Sequence, residues 1–482
     1  MFPSDSFGRC RPVHLRRMLP GMTLPGTPAI RIAALLLPAA VWGVIVALWT
    51  PRGPLTGAEA LWSVVISAGV GVLAGRAARS RWAIPLTPLV YVTALELTRM
   101  TVSGPSVDLP HATPIGILVL ITGRGVHGLF SVLPMAVGAA YGHRRPARTR
   151  WRRVTGRVLT GLATVLAAGA AVAVAVPART PAIPGGVAEL SRAGDLAVMI
   201  RGRSPDLPVL LYVPGPPGGS ETSIMRTRVS GLEDHFVVAT LDRRGGGASA
   251  GALGRAGSLS LDSEVADVLA VTDHLRQRFG RDRIVLLGHS GGSIPAVVAA
   301  QRHPEKYRAY IGTGQAVNLR DSDRMFYADV LSWARAGGRT DLVERLERQG
   351  PPPWPDAYDY EPFQLHATRA YGLPDPPFEL NVPEYTLLQK AHFMTTMLDA
   401  WDSLYPRLQE VDLHRDVPSL SIPAYFVQGG REMRGLAVPF ASWYAALRSP
   451  DKRLVTFPEA GHRPMAEDPG RFVETLAALV PA

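Results

Sequence analysis

Along the first 180 positions the apolar runs are long and the polar punctuation between them is sparse. Ile32–Trp49 reads IAALLLPAAVWGVIVALW, uncharged and long enough to cross a bilayer. Ala60–Gly75, Trp82–Leu97, Pro114–Gly142 and Arg157–Val176 follow it. One such run has two ordinary explanations, a buried core helix or a signal peptide. Five in succession have neither, because a cleaved signal would leave four behind. The second and third runs are short and carry Gly, Pro or Glu96, so the pattern predicts four to six spans, with five as the working number. Pro114–Gly142 is too long for one simple span. Thr122-Gly123-Arg124-Gly125 and His127 are expected to divide it into a re-entrant piece and a helix, with Arg124 in a loop or reaching to the interface. An Arg or His kept at membrane depth would be a functional candidate.

After Val176 the pattern changes. Pro177–Gly186 (PARTPAIPGG) reads as a linker. Short apolar runs then alternate with amphipathic helices. Leu196–Ile200, Val209–Val213, Phe236–Leu241 and Ile284–Leu287 are buried-strand candidates, and Leu261–Phe279 and Ser293–Gln301 are helix candidates. This alternation predicts a mostly parallel sheet with helices on both faces. From Gln315 to about Leu420 the rhythm breaks into a helical stretch (Phe326–Arg348), a Pro-rich aromatic stretch and more helix. That insertion is expected to form a helical cap over a pocket. The predicted organisation is a basic tail at 1–31, a transmembrane bundle at 32–176, a linker at 177–187 and an α/β domain at 188–482 with its cap at about 315–420.

Charge sharpens the division. The chain carries +11 overall, but residues 1–180 hold nineteen Arg, no Lys and four acids (Asp5, Glu59, Glu96, Asp108), a net of +15, which leaves −4 for the rest. A nucleic-acid-binding domain would itself be basic, so that class is set aside. The Arg residues alternate between the segments joining the runs. Arg9, Arg11, Arg16, Arg17 and Arg31 precede the first run; Arg76, Arg79 and Arg81 follow the second; six lie between Arg144 and Arg153. Basic segments stay on the cytoplasmic side, so five spans would put everything after Val176 outside the cytoplasm, in a plasma-membrane protein. Cys10 is the single cysteine, so no internal disulfide can form.

The candidate chemistry sits in the second half. IVLLGHSGGS (Ile284–Ser293) ends an apolar run in Gly288-His289-Ser290-Gly291-Gly292 and starts a helix at once. This is G-x-S-x-G in a strand–turn–helix setting, which lifts the Ser290 hydroxyl clear of the sheet. Serine needs a base to take its proton, and His462 in VTFPEAGHRPMAEDP stands on the loop after the last strand-like run. The base needs an acid to fix its tautomer. Glu432 follows the Ala424–Gln428 run, and Glu459 is the alternative.

Four stretches make the second half resemble α/β-hydrolases of the proline iminopeptidase-like group, peptidase family S33. They are LYVPGPPGGS (Leu211–Ser220), LDRRGGGAS (Leu241–Ser249), the Ser290 turn, and the pair GGRE and EAGHRPMAEDP. The resemblance spans roughly residues 190–480 and implies the order nucleophile Ser290, acid Glu432, base His462. It also implies that Asp242, Arg244, Gly245, Gly247 and Ser249 brace the site. Where the family has H-G-G-P-G-G this chain has Pro214-Gly215-Pro216, so Pro216 cannot give the backbone N–H that relatives supply to the oxyanion. Gly291 is expected to supply one donor and Gly215 or Gly218 the other. Acidic cap residues Asp356, Asp359 and Glu361 are candidates for holding a substrate's free amine. The expected protein is a membrane-anchored serine hydrolase acting on an ester or amide of a small molecule or peptide. Lipid is its surroundings, and neither metal nor cofactor is implied. The rivals are a non-catalytic binding module of the same fold and a transporter with an accessory domain, which would need polar pairs inside the spans.

Overall fold

The computed structural model describes residues 28–50, 55–102, 110–143, 149–254, 259–373 and 379–481. The basic tail to residue 27, with Cys10, and Arg144, Arg145 and Arg148 lie outside the described residues.

The N-terminal part is helical: α1 (Pro28–Trp49), α2 (Gly57–Ala78), α3 (Ala83–Arg99), α4 (Pro114–Leu120), α5 (Val126–Gly142) and α6 (Arg150–Ala175). Thr56 and Glu59 cap α2 reciprocally, each side chain accepting the other's backbone N–H. Among the described residues, three helices are long and apolar enough to cross a membrane: Gly57–Ala78, Pro114–Gly142 and Arg150–Ala175. Large apolar side chains such as Val65, Leu73, Leu162 and Val165 point outward. Helices α2 and α5 meet backbone to backbone. A Cβ on Gly71 would lie 2.0 Å from the Met135 carbonyl oxygen, and one on Gly138 2.1 Å from that of Ala68. Small residues permit this approach where no water drives helices together.

The expected break in Pro114–Gly142 does not occur. Helices α4 and α5 join through a π-helical turn, Ile121–Gly125. Arg124 stands in that turn and pairs with Glu96 of α3. It is therefore not in a loop: a widened helical turn accommodates TGRG without loss of the helix, and an acid from the neighbouring helix meets the guanidinium.

The second half is built on a sheet of eight strands: β1 (Val187–Ala193), β2 (Leu196–Gly202), β3 (Val209–Val213), β4 (Val237–Leu241), β5 (Ile284–His289), β6 (Tyr307–Thr313), β7 (Ala424–Gly429) and β8 (Lys452–Phe457). Their spatial order is β1-β2-β4-β3-β5-β6-β7-β8. The β1/β2 and β2/β4 pairs are antiparallel and the rest parallel. Helices α7 (Thr222–Thr227), α8 (Leu261–Phe279) and α9 (Ser293–Arg302) alternate with the strands. The cap comprises α10 (Leu319–Ala336), α11 (Thr340–Gln349), α12 (Glu361–Ala370), α13 (Leu387–Ala391), α14 (Phe393–Leu408) and α15 (Leu413–Asp416). Then come α16 (Arg434–Ala446), α17 (Pro464–Glu467) and α18 (Pro469–Leu479). The sheet face covered by α8, α9 and α16 buries Val268, Ile294 and Trp443; the other, covered by α7 and α18, buries Ile224, Phe472 and Leu476. This is the α/β-hydrolase fold. The helical stretch Phe326–Arg348 falls in two helices, divided at Gly337-Gly338, where Gly338 takes φ 62°.

The cap is seated on the helical part. The Glu361 carboxylate accepts the Ile115 N–H at 2.9 Å, supplying an orphan donor of α4. His111 stacks on Tyr358 at 4.0 Å, and the Thr122 and Thr395 hydroxyls lie 3.2 Å apart. Leu398 packs with Ile115, Val119 and Tyr358, and Leu388 with Leu55, Ala60, Phe130 and Val174. Ala400 and Met397, on the opposite face of α14, touch Gly218. One helix thus separates α4 from the loop that borders Ser290.

Candidate active site

Strand β5 ends at His289, and the chain turns so sharply into α9 that Ser290 takes φ 50°. A non-glycine residue held there stores about 1–3 kcal/mol of backbone strain. The flanking glycines are required by space. A Cβ on Gly288 would lie 2.7 Å from Ser293 Cα, and one on Gly292 would lie 2.1 Å from the Pro214 carbonyl oxygen.

Three elements converge on this turn. His462, on the loop after β8, places Nε2 2.9 Å from Ser290 Oγ. Its Nδ1 lies 3.1 and 3.0 Å from the two Glu432 oxygens, on the loop after β7. The ends of β7 and β8 close on each other: Arg431 N–H donates to the Ala460 carbonyl at 2.9 Å. Glu467 accepts the Gly461 and Arg463 N–H groups and so frames His462 from behind. Glu432 is nearly buried, whereas Glu459 is exposed. The structure therefore brings Ser290, His462 and Glu432 together and leaves Glu459 at the surface.

Of the glycines expected as oxyanion donors, Gly291 and Gly215 lie at the Ser290 turn and Gly218 lies against α14. Gly291 follows Ser290 directly and abuts Gly215, whose carbonyl would lie 2.8 Å from a Cβ there. Gly215 borders Ser290, but its N–H donates to Glu221 at 3.3 Å. Gly219 N–H turns back onto the Pro216 carbonyl at 2.7 Å. Gly218, at φ 65°, packs between α14 and Gly246. Two adjacent prolines force this course, because neither can donate and each fixes φ. Gly215 N–H is thus turned toward Glu221, while Gly218 is held by packing.

The three cap acids have other work. Glu361 is buried and divides its oxygens between the Ile115 N–H and Arg345. Asp356 is exposed and caps the turn at Tyr358. Asp359 is half-buried, and burial, with Asp356 beside it, pushes its pKa up. Glu361 thereby fastens the cap to α4, with both oxygens engaged; Asp356 and Asp359 stand on either side of Tyr358.

The bracing residues are tied as the resemblance implied. Asp242 accepts from Ser220, Tyr385 and the Ala248 N–H, Arg244 pairs with Asp267, and Ser249 accepts the Ala197 N–H. The sequence reading missed a second buried group beneath the turn: Glu221, His289, Tyr212, Arg243 and Glu264. Arg243 and Glu264 form a buried ion pair, and Arg243 donates to the Gly215 carbonyl at 2.7 Å. A doubled Arg after Asp242 was the visible signal for it.

The serine aminopeptidase family S33 matches residues 232–344, which include Ser290 but neither Glu432 nor His462. The chain is 27% identical over 289 residues to the probable aminopeptidase YbaC of Bacillus subtilis, covering 58% of this chain and 91% of that one. Among solved structures it is similar to the proline iminopeptidase-related protein TTHA1809 of Thermus thermophilus, with 22% identity, 61% and 99% coverage and a TM-score of 0.44. It is also similar to the carboxylesterase CesB of Bacillus subtilis, with 14% identity, 63% and 92% coverage and a TM-score of 0.41.

Proposed function

We propose that this chain, an α/β-hydrolase of the esterase and aminopeptidase type similar to family S33, cleaves an ester or amide through an acyl-enzyme on Ser290 while its N-terminal helices hold it in a membrane. The observation that supports the chemistry best is the unbroken chain Ser290 Oγ, His462 Nε2, His462 Nδ1, Glu432. In this reading His462 takes the hydroxyl proton as Ser290 Oγ bonds to the substrate carbonyl carbon. The bond to the leaving group breaks, and that group takes the proton from His462. Water repeats the two steps and frees Ser290. Glu432 keeps the Nδ1–H tautomer and stabilises the imidazolium. Gly291 N–H holds the oxyanion, and Pro216 leaves it without the second donor that relatives place there.

Ser290→Ala tests the reading directly. Fluorophosphonate labelling and turnover should both vanish while the thermal unfolding midpoint stays close to wild type. Undiminished labelling of the variant would sink the assignment. On a panel of acyl esters and aminoacyl arylamides, esters should be favoured, since a missing oxyanion donor costs about 3 kcal/mol and amides need it most. Pro216 is also the one observation that favours a non-catalytic binding module, for which wild-type protein would resist the label.

The membrane reading rests on length, apolarity and Arg distribution. Five spans with basic segments inside put residues after Val176 outside the cytoplasm. Protease added to intact cells should then release the hydrolase part. Release only after lysis would mean an even number of spans.

A further inference from the structure

Glu221 follows the proline-containing loop and is buried directly under the Ser290 turn, yet the mechanism above gives it nothing to do. One of its oxygens, Oε2, accepts three donors: the Tyr212 hydroxyl, the Gly215 N–H at 3.3 Å and His289 Nδ1–H at 3.0 Å. Its other oxygen has no hydrogen-bond partner among the described residues and lies 3.9 Å from Arg463. Burial pushes its pKa up, and His289, Arg463 and Tyr212 together more than reverse that, so the group stays ionised. His289 is buried, and burial lowers its pKa against the pull of Glu221, to whose carboxylate its Nδ1–H donates. Its ring lies 5.2 Å from that of His462.

What Glu221 holds is the part of the loop that sets the reaction geometry. A Cβ on Gly215 would lie 3.1 Å from Ser290 Cβ, and the Gly215 carbonyl abuts Gly291. Gly215 is fixed at both ends, its N–H by Glu221 and its carbonyl by Arg243, itself paired with Glu264. Where relatives use two oxyanion donors, this chain has Gly291 N–H and a proline. A single donor tolerates less misplacement than two, because no second bond corrects its aim.

We propose that Glu221 is a positioning residue for the hydrolytic reaction: its carboxylate locks Gly215 and His289 into one unit that fixes Gly291 N–H over Ser290. The proposal rests on the Ser290 reading. Around Glu221 the titratable groups are Tyr212 and His289 from the sheet and Arg463 from the His462 loop. Around His462 they are Glu432 and His289.

The full-length protein should be compared as wild type, Glu221→Gln and Glu221→Ala. Glutamine keeps an acceptor and removes the charge. For Glu221→Gln we expect kcat on an activated ester to fall about tenfold with KM unchanged, as the loss of charge-assisted bonds in a dry site predicts. Glu221→Ala should lose about tenfold more. A merely structural role would lower the unfolding midpoint of Glu221→Gln without a fall in kcat, and that result overturns the proposal. So do Glu221→Gln kinetics identical to wild type. If wild-type protein is neither labelled by fluorophosphonate nor active, the Ser290 reading falls first and this proposal with it; a labelled, active wild type with an indifferent Glu221→Gln refutes the positioning role alone. Should Glu221→Ala fail to fold, the glutamine variant decides.

Discussion

Helices α2 and α5 touch through glycine and carbonyl groups with large apolar side chains left outside, whereas strands β3 and β5 bury every side chain they carry. The helical part makes its tight contacts backbone to backbone, a packing that suits helices long and apolar enough to cross a membrane. The hydrolase part buries Leu211, Leu286 and Ile311 between two helical layers and threads polar networks through the gaps. The two meet at α14, which carries both kinds of contact, Leu398 toward α4 and Ala400 toward Gly218. The contrast teaches where each half tolerates change: the bundle is sensitive to bulk at a few small residues and indifferent to most apolar swaps, while the hydrolase half is sensitive to bulk and to charge.

The largest effect that would break this contrast comes from bulk in the bundle. Gly138→Val places a side chain where a Cβ alone would stand 2.1 Å from the Ala68 carbonyl. Backbones so close cannot yield, so α2 and α5 should separate. In mild detergent the variant should lose protease resistance across its first 176 residues. Fluorophosphonate labelling of Ser290 should persist if the sheet's core stands without the bundle. Wild-type protease resistance in the variant would remove the backbone-contact account.

The two halves were also unequally legible in the sequence. Six of the eight strands announce themselves as apolar runs bounded by turns. β6 does not, because YRAYIGT carries Tyr307 and Tyr310, whose hydroxyls become acceptable inside through Thr272, Gln315 and the Ser293 carbonyl. β1 (VAELSRA) is an edge strand that keeps polar residues. Ser290 and His462 could be picked out because the local turn chemistry encodes them. The acid could not be decided between Glu432 and Glu459 until the ends of β7 and β8 were placed side by side. Glu361 misled for a general reason: a carboxylate in an aromatic cap reads as a ligand for a cation, and its partner Ile115 lies 246 residues away. In the bundle, apolar length marked the helices, but the Arg124–Glu96 pair depends on a π-helical turn that no local pattern signals.

A smaller effect sharpens the contrast from the hydrolase side, where charge is the sensitive quantity. Asp323 of α10 is buried under the cap, and its oxygens accept from the Tyr405 hydroxyl and Gln409 Nε2, both at 2.8 Å. Burial raises its pKa to about 7, against the pull of those two bonds. A raised acid is protonated in the native state while the unfolded chain has already ionised. Below about pH 4 both states hold the proton and Asp323 contributes no pH dependence. From there to about pH 7 each unit costs the native state up to about 1.4 kcal/mol, and above that the full penalty remains. Asp323→Asn removes the charge and keeps the shape. Its carbonyl can accept from Tyr405, and its amide can donate to Gln409 Oε1, which is buried without a partner, once the Gln409 amide turns over. The variant should therefore gain stability over wild type as pH rises, by about 2 kcal/mol more at pH 8 than at pH 5. Urea unfolding of the hydrolase transition at the two pH values measures this. An equal offset at both would mean that Asp323 titrates outside the window, and a loss at both would mean that the carboxylate's two hydrogen bonds outweigh its burial.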